Sequence, residues 1–114
     1  MSIFRLHRRI SKKYFQAKWL ELLVRVKTYE GMMLAVIDAD RLLDEVLARK
    51  GFKGKTAGER LVAAQKVLSN NDGVWYAHKL CNRLVHEPQI RLKKEEAKNA
   101  LSGFKQALID LGAL

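Results

Sequence analysis

A chain of 114 residues, 48% hydrophobic and 30% charged, is one domain's worth of sequence and too apolar for a disordered segment. No apolar run approaches the roughly 18 residues that a membrane span needs, and a lone cysteine cannot close an internal disulfide. The net charge of +10 favours polyanions, meaning RNA, DNA or an acidic membrane surface, with a merely solvated cationic face as the simpler alternative.

That charge is uneven. Residues 1–30 hold eight Lys/Arg against Glu21 and Glu30, whereas residues 31–114 hold fourteen against ten acids. No short apolar stretch with a cleavage site follows the first basic residues, so the chain reads as cytoplasmic. One proline, seven glycines and much Leu, Ala, Lys and Glu favour helix over sheet.

Residues 1–12 carry Arg5, His7, Arg8, Arg9 and Lys12, interrupted by Ile3, Phe4, Leu6 and Ile10. They read as a basic arm on nucleic acid, as the start of an amphipathic first helix, or as a frayed basic terminus. Residues 13–114 form the single helical domain. From Ser11 to Thr28 the apolar spacing is helical. Tyr14, Ala17 and Leu20/Val24 make one line, and Phe15, Trp19, Leu22 and Val26 another, which together predict a wide buried face.

Glu30-Gly31 breaks the pattern, and a longer helix is predicted from Met32 to Lys50, with Gly51 as a left-handed cap. Met32, Val36, Ala39, Leu43 and Val46 recur on one side. Arg41 and Glu45 are an i,i+4 pair, and the acids Asp38, Asp40, Asp44 and Glu45 read as a solvated face rather than a metal site.

Gly51-Phe-Lys-Gly-Lys-Thr56 looks like a phosphate loop, but the position that needs the motif's first glycine is Arg49, and a helix rather than a strand precedes. Thr56 and Glu59 instead predict a capping box opening a short helix to Leu68, with Leu61, Ala64 and Leu68 inward. Ser69 to Gly73 is a loop in which Asn71 or Asp72 caps the next helix, Val74 to His86, which Pro88 ends. The last helix, Lys93 to Leu111, places Ala97, Leu101, Phe104, Leu108 and Leu111 on one face. Gly103 inside it allows a close helix contact, and Gly112 stops it. Five helical segments with short connections close most simply as an antiparallel bundle.

The helix from Val74 to His86 has two sides. Val74, Ala77, Cys81, Leu84 and Val85 share the apolar one. Lys79, Asn82, Arg83 and His86 fall within a sector of about 100° on the other. An imidazole, an amide and two cations on one face suit a phosphodiester: cations neutralise phosphate and histidine moves protons near neutral pH. A charged solvent face with an incidental histidine is the alternative. His78, Cys81 and His86 bring at most two ligands to one face, short of a structural zinc site's four, so no metal is expected. Cys81 on an apolar stripe should be a buried, inert thiol.

The segment Cys81-Asn-Arg-Leu-Val-His86 resembles the signature of HEPN domains, the all-α higher-eukaryote and prokaryote nucleotide-binding superfamily: an arginine, four to six residues, and a histidine, often with asparagine after the arginine. The resemblance extends to Ala35–Asp44, Gly51–Thr56, Gly58–Leu61 and Trp75–Leu80, covers roughly residues 14–111, and is to small bacterial HEPN-like proteins. It implies an up-and-down four-helix bundle with one extra short helix. It also implies an RNA-binding protein, in active members a metal-independent endoribonuclease without cofactor, that works as a homodimer with two motifs facing one cleft. His86 matches the motif histidine and Asn82 the polar position, with Lys79, Arg83, Arg8 and Arg9 as candidate nucleic-acid contacts. The motif arginine falls on Cys81, and a thiol supplies neither the charge nor the donor fork of a guanidinium. The tyrosine that partnered HEPN toxins carry two residues after the histidine is Pro88 here. A helical adaptor that dimerises or docks a partner through its apolar first helix is the competing reading.

Overall fold

Thr28 and Gly51 decide where the longest helix begins and ends. A computed structural model describes residues 10–114, which form five α-helices and one 3-10 turn, with no strand among them. α1 (Lys12–Leu23) runs into the 3-10 turn (Val24–Lys27), followed by α2 (Tyr29–Arg49), α3 (Ala57–Ala63), α4 (Asn71–His86) and α5 (Lys94–Asp110). The four long helices make an up-and-down bundle, with α3 as the extra short helix, as the sequence predicts. α2 is central and packs against α1, α3, α4 and α5. Among the described residues no helix is long and apolar enough to cross a membrane. Arg8 and Arg9 lie outside the described residues.

Ser11 caps α1 by accepting the Tyr14 backbone N–H at 3.2 Å. α1 joins the bundle through one line only, Phe15, Trp19 and Leu22, all buried. The other predicted line, Tyr14, Ala17 and Leu20/Val24, is a correction: Leu20 is 63% exposed and Val24 71%, with Tyr14 and Ala17 also outward. The main helix packed against α1 is α2, so the line that faces it is the buried one.

α2 starts at Tyr29, three residues earlier than the Glu30-Gly31 signal suggests. Thr28 is the cap, accepting the Gly31 N–H at 3.0 Å. Gly31 lies inside the first turn because a Cβ there would run into the Arg25 carbonyl. It therefore marks a close approach rather than a helix break. At the far end Gly51 takes φ +93°, and the N–H groups of Gly51 and Phe52 return to the Ala48 and Leu47 carbonyls at 3.1 and 3.0 Å. Gly112, at φ +79°, ends α5 in the same way.

Thr56 caps α3, accepting the Glu59 N–H at 3.2 Å, but Glu59 reaches back to the Lys55 N–H at 2.7 Å rather than to the cap's own. α3 stops at Ala63, and turns carry the chain onward so that Ala64 and Leu68 still point inward, as expected. Asn70, not Asn71 or Asp72, caps α4, accepting the Gly73 N–H at 2.9 Å. Asn71 instead donates to the Gln65 and Leu68 carbonyls.

Gly103 does what its place in the helix implies: a Cβ there would stand 2.8 Å from the Gly73 carbonyl carbon, so α4 and α5 approach backbone to backbone. Ser69 donates its N–H and hydroxyl to Asp110, tying the loop before α4 to the end of α5. Burial alone would raise the Asp110 carboxyl, but these bonds and one from Gln106 hold it below its ordinary value. Phe15, Leu43, Leu47, Leu61, Phe104 and Leu108 fill the centre of the core.

Candidate functional site

α4 has the amphipathic pattern that its sequence calls for, and the bundle reads it in two ways. Val74, Ala77, Leu80, Cys81 and Leu84 face inward, while Lys79, Asn82, Arg83 and His86 are all exposed. Val85 is a correction, since it is half out of the fold near the helix end rather than on the core side. Lys79 has no ion-pair partner and Asn82 no side-chain hydrogen bond among the described residues. Arg83 reaches Glu87 at 3.7 Å. Both are more than half exposed, so solvent screens most of that attraction. His86 is the last helical residue, beside the loop that Pro88 enforces. Lys79, Asn82, Arg83 and His86 thus share one solvent-facing side of α4.

Cys81 is on the other side of the helix from His86. It is 4% exposed, and burial pushes its thiol up to about 12, with the neighbouring Asp40 carboxylate adding to the shift. At neutral pH it is a protonated, enclosed thiol, as its place on the apolar stripe predicts.

The inner side also holds a polar pairing that the sequence reading did not anticipate. His78 is buried, and its Nδ1 lies 2.9 Å from Asp40 Oδ1 on α2. The side chains are only 10% and 15% exposed. Trp75 stands edge-on to the imidazole, with ring centroids 5.8 Å apart. Around them, Arg60 Nε on α3 approaches Asp44 Oδ1 on α2 at 3.4 Å. The Asp40 hydrogen bond raises the His78 pKa, burial opposes it, and the charges of Asp40 and Asp44 add to the rise.

An Asp–His pair is also the geometry of a proton-transfer dyad. The His78 Nε2 has no hydrogen-bond partner among the described residues and faces Gly58 of α3, where the missing side chain leaves space beside it. The pair is a buried tie between α2 and α4.

This corrects the solvated-face reading for Asp40, whereas Asp38, Asp44 and Glu45 stay about a third exposed and form ion pairs at the surface. Asp38 binds Arg25 at 2.8 Å, Asp40 binds His78, Asp44 faces Arg60, and Glu45 binds Arg49 at 2.8 Å. Glu45 therefore pairs one turn onward with Arg49 rather than back with Arg41, which reaches Asp38 at 3.9 Å. A signal for the buried pair was present: Asp40 follows Val36 by four and precedes Leu43 by three, so it stands on the apolar stripe, where a carboxylate needs a partner. Among the described residues no three His, Cys, Asp or Glu side chains gather as a metal site would require.

Compared with known proteins, the chain matches no family model, no curated protein and no solved structure.

Proposed function

We propose that this chain is a HEPN-like RNA-binding protein whose RNA-facing surface is the exposed side of α4. The observation that supports this reading is the exposure of Lys79, Asn82, Arg83 and His86 together on one side of one well-packed helix. The cations neutralise phosphates, Asn82 offers an amide to sugar, base or phosphate oxygens, and His86 can move a proton near neutral pH. The choice of RNA, and of a metal-independent endoribonuclease as the activity, rests on the resemblance of residues 81–86 to the HEPN motif. In that reading two copies bring their His86 residues to one shared cleft. With Cys81 turned into the core, the positive charge of the motif arginine falls to Lys79 or Arg83.

The test is RNA binding and cleavage in EDTA. Wild type should bind a single-stranded RNA with a steep salt dependence, and Lys79→Ala/Arg83→Ala should weaken binding and flatten the salt slope by about one to two. His86→Ala should abolish cleavage and keep binding. Cys81→Arg would put a guanidinium in the core beside Asp40, on the far side of α4 from His86, so it should lower stability and leave cleavage unraised. Absence of RNA binding at low salt discards the reading, and binding without cleavage by wild type removes its catalytic half. A monomer by light scattering at tens of micromolar removes the shared cleft.

A second reading, a non-catalytic adaptor, is favoured by the outer stripe of α1. Leu20 and Val24 are the most exposed large apolar residues described. Leu20→Lys/Val24→Lys should dissociate a dimer built on that stripe, whereas a dimer that survives it uses another face.

A further inference from the structure

The cations at the end of the bundle where α4 stops and α5 starts are not used by the surface described above. There a cleft of about 470 Å³ opens between the 3-10 turn, the first turns of α2 and the start of α5. Val26, Tyr29 and Met32 give it apolar walls, and Lys27 and Lys94 line it as well. The Tyr29 ring is held from two directions. Its hydroxyl accepts the Leu92 backbone N–H at 2.9 Å, and the Arg91 guanidinium lies over the ring, 4.8 Å from its centroid. Lys27, Arg91, Lys93 and Lys94 form no ion pair among the described residues. Glu30, Glu95 and Glu96 are the nearby acids, and Glu96 is engaged by the Lys93 backbone N–H at 2.9 Å.

A fixed aromatic ring, apolar walls and unpaired cations at one opening match a particular chemistry. A nucleotide presents a flat apolar base between two phosphates, and binding sites for single strands combine stacking surface with cations. An acidic peptide would use the cations and leave the apolar walls idle. The cleft also lies at the end of the bundle where α4 stops at His86, since Lys94, which lines it, opens α5.

Resting on the RNA reading above, we infer that this cleft seats one base of the same single strand, with Lys27 and Lys94 on the flanking phosphates. RNA would then run along the outside of α4 and end against Tyr29 and Met32. The cleft adds a base contact to a surface that otherwise meets only the backbone.

The probe is a fluorescein-labelled twelve-nucleotide oligo(A) carrying a central 4-thiouridine, used on the full chain. Lys27→Glu/Lys94→Glu changes only exposed side chains, and far-UV circular dichroism verifies its fold. It should weaken binding at least about tenfold and lower the salt slope by about two. Photocrosslinking should mark the peptide holding Tyr29 and Met32. Inorganic polyphosphate of equal charge, which lacks bases, should bind at least about tenfold more weakly than the RNA. Unchanged affinity in the double variant, with crosslinks confined to α4, overturns the base seat and leaves the RNA reading standing. Equal affinity for polyphosphate overturns it as well. Failure of wild type to bind RNA removes both. Binding to phosphatidylcholine–phosphatidylserine vesicles that needs Lys27 and Lys94, without RNA binding, also overturns it and assigns the cations to a membrane.

Discussion

The two sides of α4 each carry a histidine and use it oppositely. His78 and His86 are eight residues apart on one helix. His78 is enclosed with a carboxylate as its partner, and the pair serves packing. His86 is exposed at the helix end, beside two exposed cations, and is free to meet a ligand. A histidine's neighbours in space, rather than its place in a motif, decide which role it takes. Burial raises the cost of an unpartnered polar group, and solvent removes that cost.

That contrast can be broken from the inside first. Asp40→Ala leaves His78 buried without its partner and should cost about 2–3 kcal/mol in urea denaturation. His86→Ala should leave stability unchanged. A next test concerns Cys81. With its thiol held near 12, its reaction with Ellman's reagent at pH 8 should be at least about 100-fold slower in the folded protein than in urea. A fast native reaction would place that side of α4 at the surface. Gly103→Ala pushes a Cβ onto the Gly73 backbone and should cost about 1–2 kcal/mol, despite alanine's better helix propensity.

The pH dependence separates the histidines more gently. The folded pKa of His78 is raised above 6.5, so its contribution is complete below that value and is lost as pH rises through the folded pKa. Melting temperature should therefore fall on going from pH 6 upward through that range, and His78→Gln should flatten the decline. The smallest effect is expected outside: Lys79→Ala and Asn82→Ala should each change stability by less than about 0.5 kcal/mol. A larger loss would mean that the exposed side is structural after all.

Much of this was legible in residues 10–114 before any coordinates. Helix periodicity, Pro88 as a stop, Gly51 and Gly112 as left-handed ends and Gly103 as a close contact are local properties, set within a turn or two of chain. The division of α4 into a Cys81 side and a Lys79–His86 side followed from the same wheel. Val85 is exposed because a helix end has fewer neighbours to cover it.

What only the tertiary structure decided depends on residues far apart in sequence. Two apolar lines on α1 looked equivalent, and only α2's position shows that Phe15, Trp19 and Leu22 are the covered ones. Four acids on α2 looked like a solvated face, yet Asp38 meets Arg25 and Asp40 meets His78, and those bases lie on other elements. Periodicity reports which residues share a side of one helix, because it arises from the helix's own geometry. It does not report what stands opposite that side, and that neighbour sets the burial, the pairing and the protonation of His78.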